Sequence, residues 1–384
     1  MLEDNHLDYL RIGQEFSCEE RYRPHLIKYA IEELPMLSQI KEKIRDARIF
    51  VATTTAMQSN ANLFNLKHFD LAVIDEASQI LEPNIVGLLC GHDHEPYIRR
   101  FILVGDHKQL PAVVQQNPQE SEVEEPELRA VCLDNCRKSL FERLLQWERK
   151  QGRTDFIGIL RKQGRMHPEI AEFPCRMFYR HEQLEPVPLE HQLEGSLSYA
   201  PDAEDCLDEL LKAHRVIFLP SRFCRQPHLS DKVNTEEAAI VSDLLRRIRR
   251  FYGRRFDPRK TVGVIVPYRN QIAMIRQEIA RRGIPGLEQV AIDTVERYQG
   301  SQRDVIIYSF TVQSRYQLDF LTSNTFVEDG RLIDRKLNVA MTRARKQLRL
   351  TGNPETLSLN SVFKELMDDI AQKTKPQKKK NNIF

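Results

Sequence analysis

Short apolar runs, many rich in β-branched residues, punctuate the chain: RIFVATT (48–54), LAVID (71–75), FILVGD (101–106), DFIGIL (155–160), RVIFLP (215–220), TVGVIVPY (261–268), DVIIYSFT (304–311) and QLRLTGN (347–353). Most lack a polar alternate position, which predicts strands buried on both faces of a parallel sheet. DYLRIG (8–13) reads as a further, early strand. Between the runs, apolar positions recur with the helical period over 139–152, 234–253 and 268–283. In the last of these, Ile272, Ile275 and Ile279 share one face and Gly283 supplies a stop. The middle one opens on Asn234 with Glu237 three residues later, a capping arrangement for orphan amides. Strands alternating with helices predict an α/β fold.

A chain of 384 residues is long enough for two domains of ordinary size. The pattern places the first over 1–135, a connecting helix over 136–154, the second over 155–358, and a C-terminal helix with a basic tail over 359–384. NPQESEVEEPEL (117–128) reads as a solvated acidic loop and KTKPQKKKNNIF (373–384) as a disordered end. No repeat of solenoid length is present.

Composition narrows the class. With 41% hydrophobic and 29% charged residues, and no apolar run of membrane-spanning length, the chain reads as soluble and globular. Its first residues, MLEDNHLDYLRIG, are acidic where an export signal would be basic and then apolar, so an intracellular, cytoplasmic setting is expected. Seven scattered cysteines, an odd number, are expected to be reduced thiols. A net charge of +2 confines any nucleic-acid surface to a local groove.

The candidate chemistry lies at strand ends. LAVIDEASQ closes an apolar run on Asp75 and Glu76, and two adjacent acids at the end of a buried strand repel one another and lose hydration. An aspartate there can hold magnesium, and an adjacent glutamate can orient and deprotonate water; the alternative is a strand that merely runs into an acidic turn. A second strand ends in FILVGDHKQLPAVV, where Gly105 allows a tight exit, Asp106 can cap the turn, and Gln109 carries an amide able to bond a phosphate oxygen or a water. Two other clusters are weaker: CGHDHE (90–95), or Cys132 with Cys136, lack the second half of a zinc site. The run RRIRR (246–250) lies on an amphipathic helix and reads as a solvated face.

Taken in order, VIDEASQ, LVGDHKQLPAVV, LRKQGRMHPEIAEFPCRMFY, VIVPYRNQIAMI, DTVERYQGSQRDVIIYSF and LNVAMTRARKQL resemble motifs II to VI of the superfamily 1 (DExx-box) ATP-dependent helicases. The resemblance implies two RecA-like, P-loop-type α/β domains with parallel sheets, ATP and magnesium as cofactors, and single-stranded DNA or RNA as partner. It makes Asp75 the magnesium ligand, Glu76 the general base and Gln109 the γ-phosphate sensor. Arg165 and Arg343 become arginine fingers, since a guanidinium stays charged and offers paired donors; for each, the plainer alternative is a surface ion pair or a helix-end cation. Gly105, Asp106, Gln163 and Arg345 fall among the nucleotide-binding positions. Thr53, Thr54, Pro267, Tyr268, Thr294, Gln299 and Gly300 fall at the strand-binding positions; Thr53 and Thr294 could equally be strand residues, and Tyr268 a packing residue at a helix start.

Three departures from the family pattern stand out. No GK dipeptide, and so no GxxxxGK[ST] phosphate loop, occurs in the chain, and only 74 residues precede Asp75. The first domain is therefore expected to be truncated, its strand edges and apolar faces open, with a preceding segment or a second chain supplying the phosphate loop. Gly164 stands where the family has an aromatic residue, and Gln302 where it often has a glutamate. The expected function is that of a helicase or translocase, a chain that by itself hydrolyses ATP poorly; the rival is a non-catalytic module that grips nucleic acid or a protein.

Overall fold

The computed structural model describes residues 2–92, 95–117, 119–197, 199, 201–224 and 228–375. Residues 93 and 94 of CGHDHE and most of the basic tail (376–384) lie outside these. The chain divides into two compact units: residues up to His107 with Pro111–Ile157, and Lys108–Leu110 with the residues from Gly158 onward. The boundary thus falls inside DFIGIL. That run forms no strand, no strand among the described residues pairs with it, and Phe156 and Leu160 stay exposed.

In the first unit, strand β1 (Leu10–Ile12) pairs in parallel with β2 (Phe50–Ala52), and β3 (Ala72–Ile74) with β4 (Phe101–Leu103). Helix α1 (Thr54–Ser59) follows β2 directly, because the Thr53 hydroxyl accepts the Ala56 N–H and ends the strand as a helix cap. One core gathers Ile12, Phe64, Ile74, Ile85, Leu88 and Ile98. Ile74 points into it, whereas Val73 and its register partner Ile102 stand 62% and 49% exposed on the other face. The expectation of strands buried on both faces therefore fails here: this pair has a bare apolar side. The acidic 117–128 stretch is more than a loop, for its end enters a short helix, Pro126–Ala130, and Ser121 and Val123 within it are buried. Helix α2 (Leu140–Lys150) begins on a capping box, Ser139 with Glu142, and lies in this unit.

The second unit is built on a five-stranded, wholly parallel sheet. Its strands are β5 (Val216–Pro220), β6 (Val262–Val266), β7 (Ala291–Thr294), β8 (Arg303–Ser309) and β11 (Ala344–Gly352), side by side in the order β7-β6-β8-β11-β5. Successive side chains point to opposite faces, so Val264 and Ile307 enter one core while Ile265, Ile306 and Tyr308 enter the other. Covered on both faces, the strands need no polar alternate, which is what the sequence shows. Helices α3 (Thr235–Tyr252) and α4 (Arg269–Arg282) close the first face; the latter ends at Gly283 in the left-handed region, and Ile275 and Ile279 are buried. Asn234 caps α3 through its side-chain oxygen; Glu237 accepts in return from the Asn234 side-chain amide at 3.2 Å and not from its backbone N–H, which donates to Gln271, while the same carboxylate also accepts from Ser221, Ser309 and Thr311.

RRIRR is not a solvated face: Arg247 is 7% exposed, and its guanidinium meets Asp205, Asp208 and Asp243. An antiparallel hairpin, β9 (Thr325–Glu328) and β10 (Arg331–Asp334), turns on Asp329 and Gly330, both with positive φ, as a two-residue turn between twisted strands requires. Helix α5 (Arg335–Met341) follows it into β11. No helix among the described residues is long and apolar enough to cross a membrane.

Candidate functional site

The carboxylates of the first unit sit where β3 ends. Glu76 adopts φ 52°, and its N–H donates to Asp75 Oδ1 at 2.9 Å, a local bond that stabilises the left-handed turn. Both residues are exposed, so the expected loss of hydration does not occur. Gln79 donates to Glu76 Oε2 at 2.5 Å and orients it.

The loop after β4 is stitched onto this turn. Ala77 N–H donates to Val104 O at 2.8 Å, and Asp106 N–H to Ser78 Oγ at 3.2 Å. Gly105 is needed for that approach, because a Cβ there would stand 2.8 Å from the Ser78 nitrogen. Asp75, Glu76, Gly105 and Asp106 therefore form one neighbourhood.

A second neighbourhood lies wholly in the second unit, at the amino ends of β8 and β11. Arg343 follows α5 and is 1% exposed. Its Nε donates to Val339 O at 3.1 Å, and its Nη2 to Thr342 Oγ1 and to Gln109 Oε1, each at 3.0 Å. The helix's last carbonyls suit a cation, and the neutral amide of Gln109 completes the set. Arg165 is half-buried beside it, with Nη1 donating to Thr342 O at 3.3 Å and Nε to Gln302 Oε1 at 3.2 Å. The Arg303 N–H donates to Arg343 O at 3.1 Å, tying the two strand starts together. Gln109, Arg165, Gln302 and Arg343 thus converge.

Other residues singled out in the sequence do not join this group. The Gln163 amide is engaged by its own loop, accepting from the Arg165 and Met166 N–H groups and donating to Met166 O. Arg345 pairs with Asp304 at 3.0 Å. His167, which the sequence did not single out, caps the helix Pro168–Met177 with Nδ1, and burial together with Arg215 holds its pKa below the usual value. Pro267, Tyr268 and Thr294 stand at the carboxyl ends of β6 and β7, the opposite end of the sheet. Tyr268 is 7% exposed, its ring is stacked on Phe320 at 5.3 Å, and burial pushes its hydroxyl up to about 12. Gln299 and Gly300, the latter at φ 75°, lie just before β8. Thr53 spends its hydroxyl on the helix cap, and Thr54 is the first residue of α1. Among the described residues no group of three or more His, Cys, Asp or Glu is placed to hold a metal.

Sequence reasoning passed over Lys108, Thr342 and Asn338, and marked Gln302 only as a departure. Lys108 and Asn338 carried no readable signal, since their partners lie up to 230 residues away.

Two family models, each described as an AAA domain, match residues 14–117 and 136–355. The DNA polymerase alpha-associated DNA helicase A of Saccharomyces cerevisiae is 29% identical over 331 residues, covering 83% of this chain and 44% of its own length. An uncharacterized ATP-dependent helicase of Methanocaldococcus jannaschii is 27% identical over 351 residues, covering 89% and 44%. The DNA replication ATP-dependent helicase/nuclease DNA2 of Bos taurus is 28% identical over 393 residues, covering 95% and 32%. The chain spans less than half the length of each of these relatives. Among solved structures, an arterivirus nonstructural protein 10 helicase matches 91% of this chain and 49% of its own, at 13% identity and a TM-score of 0.39.

Proposed function

Because the chain belongs to the AAA-domain family of superfamily 1 helicases, we propose that it works as part of an ATP-dependent helicase or translocase that moves on single-stranded DNA or RNA. The observation that carries this reading is the convergence of Gln109, Arg165 and Arg343, one amide and two guanidiniums suited to a polyphosphate. The exposed carboxylates of Asp75 and Glu76 suit a hard cation and a water, as oxygen donors at the carboxyl end of a parallel strand. A bound magnesium ion would supply charge neutralisation for the phosphates. In this reading Asp75 holds the ion, and Glu76, steadied by Gln79, takes the proton of the attacking water. Gln109 senses the terminal phosphate while Arg165 and Arg343 stabilise its developing charge.

A second reading, a non-catalytic module that grips a strand, draws on the lack of a GK dipeptide within these 384 residues. The deciding experiment measures binding of labelled single strands together with strand-stimulated ATP hydrolysis, in the wild type and in Glu76→Gln. Turnover that is weak in the wild type and abolished by the substitution, with strand binding kept, is the expected result. Strand binding without turnover favours the second reading, and absence of both overturns the proposal.

A further inference from the structure

Lys108 is 2% exposed, although lysine is among the residue types least often buried. Its ammonium has three N–H groups and meets three oxygens: Phe178 O at 2.8 Å, Glu182 Oε1 at 2.7 Å and Glu328 Oε2 at 2.6 Å. The carboxylates are themselves 14% and 15% exposed, and the Tyr179 ring lies 5.7 Å from the nitrogen. At the other end of the residue, the Lys108 carbonyl accepts from Asn338 Nδ2 at 2.8 Å, and the same amide donates to the Tyr179 hydroxyl at 2.7 Å. Leu110, two residues on, is 4% exposed in the core with Met166 and Phe178. All of these groups lie in the second unit. Gln109 is therefore held from both sides.

Apolar burial of Leu110 would suffice merely to anchor the segment. One ammonium and two carboxylates taken out of water cost more than a hydrophobic seat of the same volume. Among the described residues, Glu182 Oε2 finds no hydrogen-bond partner, so the cluster is not a fully compensated one. What the arrangement adds is direction, because three acceptors around an ammonium fix the nitrogen in space and with it the backbone of the next residue.

We infer that Lys108 is a positioning residue: clamped by Glu182, Glu328 and the Phe178 carbonyl, it aims the Gln109 side chain at Arg343. The inference builds on the proposed function, in which Gln109 and Arg343 serve the same phosphate. Without the clamp the Gln109–Arg343 bond loosens while the fold around it persists.

The test follows the Arg343 guanidinium itself, by NMR of arginine-labelled protein, with Gln109→Ala marking the signal of the broken bond. Lys108→Met is expected to move the Arg343 Nε–H signal in the direction set by Gln109→Ala, Glu328→Gln to move it part of the way, and Lys108→Arg to leave it near the wild-type position. A Lys108→Met signal at the wild-type position, with Gln109→Ala displaced, overturns the inference; so does a Gln109→Ala signal that does not move. If Lys108→Met fails to fold, Glu328→Gln, which keeps an acceptor and removes one charge, decides by the same criterion. In ATP turnover, Lys108→Met is expected to lower kcat roughly tenfold with KM unchanged, as for loss of a transition-state contact. Lack of turnover in the wild type would count against the proposed function alone, since the NMR comparison needs no activity.

Discussion

Arg165 donates from Nε to the side-chain oxygen of Gln302 at 3.2 Å, across 137 residues of sequence. The acceptor is neutral at a position where the resembled family often carries a glutamate, so the contact is a hydrogen bond to an amide rather than an ion pair. Gln302→Glu would convert the contact into an ion pair. Because Arg165 is only half-buried, the substitution should raise stability by no more than about 1 kcal/mol, and the gain should fade in high salt. Strand-stimulated turnover should fall, since the carboxylate competes for the guanidinium. Melting curves at low and high salt, with an activity assay, check both parts.

Tyr268 separates packing from strand contact. The residue is 7% exposed and its ring is stacked on Phe320, so Tyr268→Phe should leave affinity for a labelled single strand unchanged. Tyr268→Ala should cost roughly 2–4 kcal/mol of stability through the cavity it leaves. Fluorescence anisotropy and urea unfolding measure the two effects separately, and a drop in affinity for the phenylalanine variant would return the hydroxyl to the interface.

Two enclosed carboxyl groups give the molecule a pH slope. Burial pushes Glu237 up to about 7, against the pull of donors from Ser309, Thr311 and Ser221, and pushes Asp334 up to about 6. An unfolded chain releases these protons near 4.5 and 3.8. Between those values and the raised ones the native state binds more protons than the unfolded state, so stability falls as pH rises through that window. The Glu237 contribution is on the order of 3 kcal/mol. Glu237→Gln should remove it, so that urea midpoints of variant and wild type diverge less at acid pH than at neutral pH, with the variant the more stable at neutral pH.

Gly105→Ala tests the stitching of the two loops in the first unit. The added methyl would stand 2.8 Å from a backbone nitrogen, so the Ser78 turn must shift. A loss of about 1–3 kcal/mol is expected, as for overpacking elsewhere. Faster hydrogen exchange at the amides of Ala77 and Asp106 would locate the damage, and unchanged exchange at both would contradict it.

The second unit was largely legible because its strands are covered on both faces, so apolar runs such as TVGVIVPY map onto strands almost without remainder. DFIGIL misled for the same reason in reverse: it is apolar too, but no strand among the described residues pairs with it. The hairpin at 325–334 carried a local signal, Asp-Gly between alternating residues, that strand-by-strand reading of apolar runs passes over. Motif positions gave Gln109, Arg165 and Arg343, and the fold places these together; motif spacing gave no means of separating Tyr268, which packs, from residues that face outward. The partners of Lys108 were not readable, because a buried ion cluster assembled from three distant segments has no period and no spacing.

That cluster also has an order in time. The seat of residues 108–110 is built from positions 70, 74 and 230 residues further along, and the partner of Gln109 lies 234 residues on. Contacts of such long separation close last, after the entropy of the intervening loops has been lost. A chain growing from its N-terminus therefore presents the loop long before its socket exists. A chain that ends before Asn338 lacks the donor to the Lys108 carbonyl and the Arg343 partner of Gln109, so the seat of residues 108–110 is complete only once nearly the whole second unit is present.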